Sequence, residues 1–215
     1  YLETRMGLYT SAYKKCSDMI TFMKESGYSQ ITKSEPSYAG LYSCMAGIES
    51  MRTDFDDALE NIKVAYSLSK NDSNNSFKAI VLLVYSLTLY GRGDIAEVMK
   101  MLNEAEDIIK QNIISPAAKA IYVALKGFML VEQHEHEKAS HFFKENGLGL
   151  NKKISYLNDR GYFSFVLLLI TELKFKEAEK ILSELQTMAQ AANRLETLIE
   201  VKIVYAILYK TIGEK

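Results

Sequence analysis

Three histidines and two glutamates fall within eight positions: His134, Glu135, His136, Glu137 and His141, in the stretch HEHEKASH. Imidazole and carboxylate are the side chains that bind transition metals and that move protons at neutral pH. His134, Glu137 and His141 are the three that could share a metal. A catalytic site would need more than one such stretch, and the rest of the chain offers no partner for it. There is no G-x-x-x-x-G-K-[ST] phosphate loop and no G-x-S-x-G elbow. NGLGL (146–150) contains G-x-G but lacks the third glycine, and it reads as the C-terminal turn of a helix. Cys16 and Cys44 are the only cysteines, they form no C-x-x-C pair, and neither is expected to act as a nucleophile. The reading is therefore no enzyme, no cofactor and no metal site, with the histidines in a solvated turn and His136 partly packed.

Composition narrows the class. The chain has 215 residues, 48% of them hydrophobic, with 26 basic and 27 acidic side chains and a net charge of −1. A domain that grips nucleic acid concentrates basic charge on one face, and this balance supplies no excess. The longest apolar run, Ala79 to Tyr90, is twelve residues, against roughly 20 for a membrane span. Two lone cysteines fit a reducing compartment, so a cytoplasmic location with no membrane partner is expected. The chain opens on Tyr1, which suggests a piece of a longer protein. Two prolines, 11 glycines and no alternating strand pattern point to an all-α fold.

A repeat organises that fold. AYKKCSDMITFM (12–23), DFDDALENIKVA (54–65), DIAEVMKMLNEA (94–105), EHEKASHFFKEN (135–146) and KFKEAEKILSEL (174–185) each begin at a polar turn. Each places a small residue early in an amphipathic helix: Cys16, Ala58, Val98, Ala139 and Ala178, at intervals of 42, 40, 41 and 39. The more apolar segments 38–52, 78–92, 119–133, 161–174 and 201–213, the first helices of the pairs, precede or separate these helices and should be buried between neighbours. The pattern predicts one domain over 1–215, a right-handed α-solenoid of antiparallel helix pairs with a period of about 40. Ser115 before Pro116 reads as a helix start, Pro36 marks another, and NDSNNS (71–76) is a loop. The last apolar segment would end the array as an exposed half-repeat, with self-association or a missing neighbour following from that.

The stretch 174–215 carries a more particular signature. An outer helix ends in MAQAANR with Arg194 as its basic residue, LIEVKIVYAILY opens the next helix, and Gly213 closes it. This, with GYFSFVLLLITELKFKEAEKIL before it, resembles the tetratricopeptide-like region of MalT-type regulators, the ATP-dependent members of the LuxR group of transcription factors. The resemblance is strongest over 160–215. It implies a signal-sensing and oligomerisation region that binds a small-molecule inducer or a regulatory protein. DNA would be bound only through a helix-turn-helix elsewhere in the parent chain. The alternative is a general scaffold for protein–protein interaction unrelated to transcription.

Aromatic residues on the first helices suit recognition, because a ring offers stacking area and tyrosine adds a hydroxyl. The expected effector contacts are Tyr90, Phe128, Arg160, Phe163 and Glu200. Arg160 and Glu200 stand at equivalent places one repeat apart, and a salt bridge between them is the simplest structural expectation.

Overall fold

The computed structural model describes residues 9–26 and 36–213. Among these there are ten α-helices and no strand. They are α1 (Tyr9–Glu25), α2 (Pro36–Met51), α3 (Phe55–Ser69), α4 (Asn75–Arg92), α5 (Ile95–Gln111), α6 (Pro116–Glu132), α7 (His136–Glu145), α8 (Asp159–Thr171), α9 (Phe175–Ala191) and α10 (Leu195–Gly213). None of the described helices is long and apolar enough to cross a membrane. The chain divides into two compact units, residues 1–119 and 120–215, with the division inside α6.

One turn follows α2, α4, α6 and α8, and the same bonding closes α7 at Gly147 and α9 at Asn193. After α2, Thr53 takes φ 66°. Its amide donates to the Ser50 carbonyl at 3.2 Å, and the Asp54 amide donates to the Glu49 carbonyl at 2.9 Å. Gly93 (φ 83°), His134 (φ 59°) and Leu173 (φ 63°) do the same after α4, α6 and α8. Their following amides reach Leu89, Leu130 and Leu169 at 3.0, 2.9 and 2.8 Å. This paired bonding around one left-handed residue satisfies the last carbonyls of a helix. The left-handed residues after α2, α4, α6 and α8 are spaced by 40, 41 and 39 positions. Only one of the four is glycine. Thr53, His134 and Leu173 therefore carry a steric cost of roughly 1–2 kcal/mol each, which the packing of the flanking helices must hold.

The small-residue slots explain that packing. Ala58, Val98, Ala139 and Ala178 are fully buried, and Cys16 nearly so. In the first unit Ala58, Ile62 and Ala65 of α3 close on Ala46 of α2 and Val81 of α4. In the second, the Phe143 ring of α7 lies over Gly127 of α6, so close that a Cβ there would stand 2.3 Å from it. Small residues on one helix let a large side chain on the next approach its backbone.

Other expected boundaries are found. Ser115 caps α6 through its Oγ, which accepts from the Ala118 amide at 3.3 Å. Gly147, in NGLGL, takes φ 78° just after α7. The 71–76 loop is shorter than expected, because Asn74 caps α4 through a 3.1 Å bond from the Phe77 amide and Asn75 is already helical. The last helix departs from the reading of the first helices as buried on nearly all sides. On α10, Leu195, Ile199 and Ile203 are more than half exposed.

Candidate functional site

The histidine stretch resolves into turn geometry. His134 is the left-handed residue that ends the α6–α7 turn, and His136 is the first residue of α7. Their rings meet edge to face at 5.9 Å. His141 lies one turn on and faces Glu145 at 3.2 Å. Among the described residues no three His, Cys, Asp or Glu side chains converge as a metal would need. The Nε2 of His136 is buried without a hydrogen-bond partner, where the other units place Phe55, Ile95 and Phe175.

Of the five expected contact residues, Tyr90 lies in the first unit and is half-buried on α4. Phe128, Arg160, Phe163 and Glu200 lie in the second. Phe128 is half-buried on α6, and Phe163 is buried on α8. The neighbouring Tyr162 is wholly buried, its hydroxyl near the Gly149 and Lys152 carbonyls at 3.3 and 3.2 Å. It is core.

Arg160 and Glu200 come together within a five-residue polar cluster, where the Arg160 charge acts on Glu200. Arg160 Nη2 contacts Glu196 Oε1 at 2.5 Å. Glu196 sits in the first turn of α10 and Glu200 one turn farther along. Asp159, at 1% exposure, receives its own ion pair from Arg194 Nη1 and a 2.8 Å bond from the Arg160 amide. Arg194 also lies over the Tyr156 ring at 5.3 Å.

Glu200 is the third carboxylate of this cluster. Burial pushes its pKa above the usual glutamate range, with Glu196 and Asp159 adding to the rise and Arg160 and Arg194 opposing it. Three carboxylates and two guanidinium groups thus share one corner of the second unit. The arrangement can hold a polar or cationic group, while the fixed pair Asp159–Arg194 ties α8 to the turn before α10. A depression of about 470 Å³ opens beside Tyr156, lined otherwise by Ser183, Glu184, Thr187, Met188 and Ala191. None of the five expected contacts lines it.

Asp159 and Glu196 escaped the sequence reading, and Arg194 entered it only as part of a motif. A signal was present: an Asp-Arg doublet at one helix start and an Arg-x-Glu triplet at the next, about 35 residues on. Opposite charges at that spacing are neighbours when a 40-residue repeat stacks its helices. No family model, no curated protein and no solved structure matches the chain.

Proposed function

We propose that the chain is the signal-sensing repeat region of a MalT-type transcriptional regulator in the bacterial cytoplasm, with its helix pairs continuing as a right-handed solenoid. The observation that carries this reading is the turn after α2, α4, α6 and α8, whose left-handed residues lie 40, 41 and 39 residues apart. It supports the repeat on which the resemblance rests. An inducer or regulatory protein would bind along the first helices of the pairs. Arg160 and Glu200 supply polar contacts at the charged corner, and Tyr90, Phe128 and Phe163 supply aromatic surface. Binding would shift the parent protein between resting and assembled states. The chain itself carries no chemistry in this reading, and DNA contact belongs to another domain.

A general protein-interaction scaffold is the second reading. The exposed apolar residues of α10 favour it, because such surface suits a protein partner more than a small inducer. The two are separated by the coding sequence on either side of this chain. A phosphate-loop ATPase module upstream and a helix-turn-helix downstream are expected. Flanks lacking both would remove the regulator reading and leave the scaffold.

A further inference from the structure

The repeat makes it possible to ask of each surface what covers the equivalent surface elsewhere. Set one repeat of 40 residues after α8, Ile199, Ile203 and Ala206 of α10 correspond to Asp159, Phe163 and Val166. They correspond also to Ala79, Leu83 and Ser86 of α4, and to Ala39, Ser43 and Ala46 of α2. All nine of those residues are buried. On α10, Ile199 is 61% and Ile203 56% exposed, and Ala206 is exposed as well. With Leu195 and Ile207 they form an apolar stripe on the order of 400 Å², comparable to the largest patch of a monomer, which is often functional.

At the Ala206 position the earlier units show the following outer helix, while at the Ile199 position Asp159 of α8 is met by Arg194 from the turn before α10. Ala46 is closed over by Ala58, Ile62 and Ala65 of the helix that follows it, together with Val81. Gly127, the α6 equivalent of Ala206, is closed over by Phe143 of α7. The covering helices share a pattern: a small residue, a large apolar residue four positions on, and usually another apolar residue seven on. Ala58–Ile62–Ala65, Val98–Leu102–Ala105 and Ala178–Leu182–Leu185 follow it, and all nine are buried. The spacing puts the three on one helical face.

We propose that the Ile199–Ile203–Ala206 face of α10 is a docking site for one amphipathic helix of this pattern, seated as α3 sits on α2 and α7 on α6. The occupant is defined by chemistry. It carries Ala or Val at the closest approach, a Leu, Ile or Phe four positions later, and a polar outer face. Ala206 leaves room for the close approach, as Ala46, Ser86 and Gly127 do in their units. The occupant removes the stripe from water and gives α10 the second flank that the earlier first helices have.

The test uses the whole 215-residue chain and a helix-stabilised peptide of residues 174–192, the α9 sequence. Saturable one-to-one binding is expected, with amide exchange in α10 slowed. A Leu182→Glu peptide should bind at least tenfold more weakly, and Ile203→Glu in the chain should do the same. Ile203 is exposed, so that variant should melt like the wild type on its own. Covalent attachment gives a second measurement independent of peptide affinity. Residues 176–192 are joined directly behind Lys215, preserving the 40-residue spacing. That chain should melt several degrees higher and exchange its α10 amides at least tenfold more slowly, with both effects removed by Ile203→Glu. Unchanged exchange and melting in the joined chain would overturn the proposal. So would effects that survive Ile203→Glu, or a dimer of the free chain through α10 that the peptide does not displace.

Discussion

Arg194, in the turn that leads into α10, closes an ion pair on the carboxylate of Asp159 at the start of α8, 35 residues earlier in the chain. Asp159 is 1% and Arg194 17% exposed at the side chain. A charge removed from water this completely must be compensated, and here one guanidinium does so. Arg194→Ala leaves Asp159 buried and unpaired and should cost about 3 kcal/mol or more. The double variant Asp159→Asn with Arg194→Leu should lose much less than the sum of the two single changes. Urea unfolding of the four proteins measures the coupling. Additive losses would mean that the pair does not act as a unit.

Glu200 gives a pH dependence whose sign follows from its raised pKa. The folded state holds its proton to higher pH than the unfolded chain does. The contribution of Glu200 to stability is therefore full below the usual glutamate range and is lost as pH rises through the folded value. Glu200→Gln should stabilise the chain at neutral pH relative to wild type, and the difference should vanish on acidification below the usual range. Melting curves across that interval check it, and a gap that widens toward acid would give the opposite sign.

The strained turns can be relieved. Leu173 is half exposed and holds φ 63°, where glycine would sit without steric cost. Leu173→Gly should gain on the order of 0.5–1 kcal/mol after the entropy of glycine in the unfolded chain is allowed for. Gly127→Ala should act in the opposite direction, by about 1–3 kcal/mol, because its new methyl meets the Phe143 ring. Denaturant midpoints for the two variants should move apart.

Ala178 tests the repeat register itself. It is fully buried in the small-residue slot of α9. Ala178→Glu puts a carboxylate there with no partner and should cost 4 kcal/mol or more, at the upper end for single substitutions. Wild-type-like melting of this variant would mean that the slot is not closed.

For the histidine stretch the expectation is no tight stoichiometric binding of zinc, nickel or manganese in titration calorimetry. Submicromolar binding abolished by replacing His134 and His141 with Ala would contradict it.

Much of the helical organisation was legible because the small residues are spaced by the repeat and not by local propensity. Ala58, Val98, Ala139 and Ala178 mark where two helix axes come close, and that requirement survives divergence of everything around them. The turns were legible only in position. Nothing in Thr53 or Leu173 announces a left-handed residue, since the conformation is imposed by the helices on either side. The charged corner was half legible. The 40-residue offset brought Arg160 near Glu200, but it did not point to Glu196, in the first turn of α10, which Arg160 also meets. The buried Asp159 was missed because an aspartate at a helix start ordinarily reads as a solvated cap. The functional reading proposed rests only on the resemblance over 160–215, since balanced charge and a helical repeat fit many binding roles.

The most direct test of the effector-binding account is the affinity of a stabilising ligand or regulatory protein, measured for the wild type and for single Ala variants at Tyr90, Phe128, Arg160, Phe163 and Glu200, each alongside its own melting temperature. The account predicts that substitutions at the charged corner and at Tyr90 weaken binding by tenfold or more while the helical signal is unchanged. Binding that survives at all five positions, or that falls only in step with each variant's stability, would contradict it and move the recognition surface away from the first helices.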